Sequence, residues 1–88
     1  MKKYDVFYRT ESIKAMQTKF KRHQAVILTR VPNPERIEWY GDEQLLTKGM
    51  SGTINILLPN GQYHVEIKDA QGNVLCYAPC DEEDLEVA

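Results

Sequence analysis

Apolar and polar residues alternate on both sides of Asn60-Gly61. Ile54, Ile56 and Leu58 precede it at every second position, and Tyr63, Val65 and Ile67 follow it in the same rhythm. A period of two is that of a half-buried strand, and Asn-Gly accepts the positive φ angles of a tight type I′ turn. The pattern predicts a hairpin with a two-residue loop, in which Leu58 faces Tyr63, Ile56 faces Val65 and Ile54 faces Ile67. The opposite face then carries Asn55, Leu57, Gln62, His64, Glu66 and Lys68 and is mostly wet.

A second turn follows at Asp69-Ala70-Gln71-Gly72-Asn73, with Gly72 suited to the left-handed conformation, and the chain returns through Val74 to Ala78. A three-residue loop puts Leu75 and Tyr77 on the core face; a four-residue loop puts Val74 and Cys76 there. The first buries the larger pair and is preferred. These three strands make a meander.

Nearer the N-terminus, Tyr4 to Thr10 also alternates and reads as a strand. Thr10 can cap a helix across Glu11 to Gln24, on which Ile13, Met16 and Phe20 form a narrow apolar stripe. Lys19, Lys21, Arg22 and His23 are favourable near its C-terminal end. Ala25 to Val31 is a short β-branched run that stops at Pro32-Asn33-Pro34, a rigid turn. Arg36 to Tyr40 alternates again with Ile37 and Trp39 inward, and Gly49 to Gly52 reads as a loop.

The expected fold is therefore α+β, with one helix packed on a mainly antiparallel sheet of five to six strands that ends in the three-stranded meander. The alternative is a small all-β barrel in which residues 12 to 21 form another strand. Eighty-eight residues make one domain, here 1–80, followed by an acidic, flexible tail at 81–88. A 42% apolar and 27% charged composition is that of a folded chain.

The opening Met-Lys-Lys-Tyr-Asp lacks the apolar run of a signal peptide, and the longest apolar runs are too short to cross a bilayer. With two cysteines and no disulfide framework, the expected compartment is the cytoplasm, and no membrane association is expected.

Charge changes the picture. Residues 1–36 carry nine Lys or Arg against three acids, and residues 37–88 carry two against ten, so +6 and −8 sum to the net −2. Fields of opposite sign steer partners more than a total does. The cations Lys14, Lys21, Arg22 and Arg30, with the aromatic pair Trp39 and Tyr40, are the candidate partner-binding residues.

Candidate chemistry is thin. Cys76 and Cys80 are four residues apart, about 13 Å in an extended chain, beyond disulfide reach, and as metal ligands they lack two further donors. His23 suits a helix end, and His64 suits the solvated hairpin face beside Glu66. No nucleophile–histidine set, phosphate loop or dinucleotide fingerprint occurs. No catalytic residue, cofactor, metal or small-molecule substrate is expected. The function expected is a non-enzymatic protein-interaction module, self-associating through complementary charged surfaces. The alternative is a nucleic-acid-binding accessory protein that uses the basic half.

Overall fold

The computed structural model describes residues 19–88, and these form one antiparallel six-stranded sheet with two 3-10 turns and no α-helix. The strands are β1 (Ala25–Leu28), β2 (Glu38–Trp39), β3 (Ser51–Leu57), β4 (Tyr63–Lys68), β5 (Val74–Cys80) and β6 (Leu85–Val87). Their order is β2-β5-β4-β3-β1-β6, with 3-10 turns at Pro34–Arg36 and Glu82–Asp84.

This corrects the α+β expectation of a helix packed on a sheet. The strand expected at Tyr4–Thr10 and most of the expected helix lie outside the described residues. Its last six positions, Lys19–Gln24, form a turn: Gln24 N donates to Lys21 O, and His23 takes a positive φ of 71°. Phe20, expected on a helical stripe, is instead buried in the sheet's core, edge-on to Tyr63 with ring centroids 5.3 Å apart.

The Asn60-Gly61 hairpin forms in a different register. Only Gly61 has positive φ; Asn60 keeps negative φ while its Oδ1 accepts from Gln62 N, so the two-residue type I′ loop gives way to a three-residue loop. Leu58 N donates to Gln62 O across it, and Leu57 faces Tyr63. A bulge at Asn55 then restores phase, so that Ile54 faces Val65 and Gly52 faces Ile67. Gly52 is required there, since a Cβ would lie 2.8 Å from Glu66 O. The expected loop at 49–52 is thus partly strand.

The second turn has the expected loop, with Gly72 at φ 88° and Asp69 N donating to Asn73 O. The faces are nevertheless reversed. Lys68 pairs with Val74 but Ile67 pairs with Cys76, so Leu75 is an extra residue, and beyond it Cys76, Ala78 and Cys80 point inward. Tyr77 faces outward, while Leu75 stays buried within the bulge.

The acidic segment 81–88 is built into the sheet. Its 3-10 turn is closed by Asp81 and Asp84 in a capping box, and β6 pairs with β1. Cys80 and Leu85 lie on strands four places apart, about 19 Å in a flat sheet, whereas a link of this shape spans about 13 Å. The sheet must therefore curl. Hydrogen bonds from Tyr63 Oη to Glu82 and from Thr29 Oγ1 to Glu83 O hold the curl. Its concave side encloses Val26, Leu28, Ile54, Tyr63, Val65 and Ile67, and among the described residues β2 and β6 are the edge strands.

Candidate interaction surface

β1 and β3 are joined by 22 residues, Thr29 to Met50, far longer than an ordinary connection, and loops of this length usually serve function. Proline sets its course. Pro32 is buried, and Asn33 Oδ1 accepts from Glu35 N to start the 3-10 turn at Pro34. The chain then touches β5 for two residues at β2, where Glu38 faces Tyr77 and Trp39 faces Cys76.

Paired residues share a face, so Trp39 is on the core side with Cys76 and Glu38 on the outer side with Tyr77. Past Gly41, Leu46 is buried and anchors the return, while Leu45 beside it is 82% exposed. A groove of about 420 Å³ results, floored by Pro34, Ile37, Trp39 and Leu46 and flanked by Val31 and Leu45. That volume is within the range of specific binding sites. Glu43 is the one charged residue among those lining the groove, with Asp42 beside it in the chain.

Of the expected partner-binding residues, Trp39 lines this groove, and Tyr40, 79% exposed, follows it in the chain. The cations are not gathered with them. Lys14 lies outside the described residues. Lys21 and Arg22 are exposed in the turn before β1, where Arg22 Nε donates to Asn55 O at 3.1 Å. Arg30 is past the other end of β1, with Nε 2.6 Å from Asp84 Oδ1. Arg30 is thus matched by an acid, and its guanidinium is held above its usual range by the Asp84 hydrogen bond and charge. Val31, Ile37, Leu45 and Leu46 were not among the expected residues. Ile37 had a signal in its alternation with Trp39, whereas Val31, Leu45 and Leu46 had only apolar content without period in a Pro- and Gly-broken segment.

The outer face of the sheet carries a second polar cluster. His64 stacks on Tyr77, ring centroids 5.5 Å apart, with its Nδ1 3.0 Å from Asn55 Nδ2 and its Nε2 3.6 Å from Glu38 Oε1. Tyr77 Oη donates to Glu66 Oε2, and Lys68 Nζ reaches both Glu66 and Thr53. These groups satisfy one another.

Cys76 and Cys80 are separate, free and buried thiols. Desolvation pushes them up to about 11 and about 12, which removes thiolate reactivity at neutral pH. Among the described residues, no group of three or more His, Cys, Asp or Glu is placed to hold a metal ion. No helix among them is long and apolar enough to cross a membrane. No protein-family model, curated protein or solved structure matches this chain.

Proposed function

We propose that the protein is a binding module whose groove at Trp39 takes an apolar side chain from a protein segment that carries positive charge. The observation that carries this reading is Leu45, which stands 82% exposed beside a half-buried tryptophan although a buried neighbour, Leu46, already anchors the loop. An apolar cleft with an aromatic floor is the usual anchor point of a protein interface. Glu43 in the lining favours a basic segment and speeds encounter.

Trp39 is the only tryptophan, so its fluorescence reports on this site alone. Titration with short Lys- or Arg-rich peptides centred on Leu or Phe should shift its emission to the blue and saturate. Acidic peptides with the same apolar centre should bind at least ten-fold more weakly. No spectral change with any of these peptides at millimolar concentration defeats the reading.

A further inference from the structure

Strand β2 offers more than the floor of the groove. Glu38 pairs with Tyr77 and Trp39 with Cys76, and just beyond them Tyr40 N donates to Leu75 O at 3.0 Å. In an antiparallel ladder, opposed residues that exchange hydrogen bonds alternate with opposed residues whose N–H and C=O point away from each other. The bond from Tyr40 to Leu75 puts Trp39 and Cys76 in the second kind of pair. Trp39 N–H and C=O therefore both point to the open side of β2, and neither finds a partner among the described residues. Ile37, also extended and two positions earlier, is in the same phase, and its C=O has no partner among them either.

β2 is an edge strand, and an edge with unpaired backbone groups is a template for another strand. The same two residues line the groove with their side chains, beside Pro34 and Leu46. Backbone donor and acceptor thus face the open edge while apolar side chains face the core side, all on one short segment.

From this geometry we infer that the partner of the Trp39 groove is an extended peptide that joins the sheet as a strand antiparallel to β2, hydrogen-bonded to Trp39 N–H and C=O. This rests on the groove reading above and specifies the conformation of the segment it calls for. The antiparallel direction is that of every described pairing in the sheet. Paired residues share a face, so the peptide residue opposite Trp39 turns its side chain to the core side, into the groove, and the residues on either side of it turn theirs outward. Main-chain bonds then hold the peptide, and the groove reads its central residue. A helical segment cannot use this edge, because its own N–H and C=O groups bond to each other.

The test uses the full chain and acetylated nine-residue peptides of Lys and Arg around a central Phe, with binding read by Trp39 emission. One peptide is N-methylated at the Phe and another at the residue after it, which leaves side chains and charge the same. In the antiparallel pairing the N–H of the Phe donates to Trp39 O, whereas the next N–H points away. Methylation at the Phe should weaken binding about five-fold or more, as expected for one lost hydrogen bond whose acceptor stays unpaired, and methylation of its neighbour less than two-fold. Hydrogen exchange followed by NMR gives a second measurement. Saturation with the unmethylated peptide should slow the Trp39 amide about ten-fold or more. The Tyr40 amide, already bonded to Leu75 O, should keep its rate.

Equal losses for the two methylated peptides, a greater loss at the neighbour, or an unprotected Trp39 amide in the complex overturns the inference. A retained blue shift of Trp39 then leaves the groove reading standing, because a side chain can seat without a strand. The absence of any shift with the unmethylated peptide brings both down.

Discussion

Arg30 Nε lies 2.6 Å from Asp84 Oδ1, a contact that ties the chain just past β1 to the 3-10 turn just before β6. The other carboxylate oxygen, Oδ2, accepts from Asp81 N at 2.9 Å. One buried acid thus secures the turn that lets β5 cross to β6.

Replacing Asp84 by Ala should remove the cap and leave Asp81 N–H unpaired. A cost of about 1–2 kcal/mol is expected from a lost cap. Urea unfolding should show the lower midpoint, and amide hydrogens of Leu85–Val87 should exchange faster. Asp84→Asn keeps one acceptor and should lose less. Unchanged unfolding in the Ala variant would mean that the turn is held by β6 pairing alone.

Gly52 should resist any side chain. A Cβ there meets Glu66 O at 2.8 Å and Val65 Cγ1 at 2.9 Å, and the carbonyl belongs to the β4 backbone that pairs with β3. Gly52→Ala should cost about 1–3 kcal/mol as overpacking. Gly41→Ala is the control, since nothing lies within 4 Å of its added Cβ. Equal thermal midpoints for the two variants would contradict the close approach of β3 and β4.

Stability should fall on the alkaline side. Cys76 and Cys80 ionise near 9.0 when unfolded, but burial raises them to about 11 and about 12 in the folded chain. An acid with a raised folded value loses its proton first in the unfolded state, so unfolding gains as pH climbs past 9. Tyr63, pushed up to about 12 by burial and then by Glu82, adds to the same trend above 10. Chemical unfolding at pH 7, 9 and 10.5 should show a steady loss, and a Cys76→Ala/Cys80→Ala variant should show a shallower one. Parallel slopes for the two proteins would show that the thiols are not the cause.

The meander illustrates how far local pattern reaches. Alternation placed β4 and β5 within two residues and β3 within three, and Gly72 was read correctly as the left-handed residue of its turn. Facing was harder to read, because a single inserted residue flips every side chain beyond it. Bulges at Asn55 and Leu75 did this twice, and neither residue is a glycine or proline that would mark the spot.

The candidate site was legible only through Trp39 and Tyr40. Segregated charge along the chain suggested two poles, but β6 pairs with β1 and brings Asp84 to Arg30, so acid and base meet there in the folded molecule. Val31 and Leu45 gained their meaning from a loop course that has no periodicity to read.

What the amino-acid order determined unaided was local: where the strands of the meander run and which residues turn between them. Which residues share a face, which strands become neighbours and what the acidic segment does were decided by tertiary packing. The reason is physical: period and turn chemistry act over a few residues, whereas bulges and the pairing of β1 with β6 answer to the enclosure of one apolar core by distant segments.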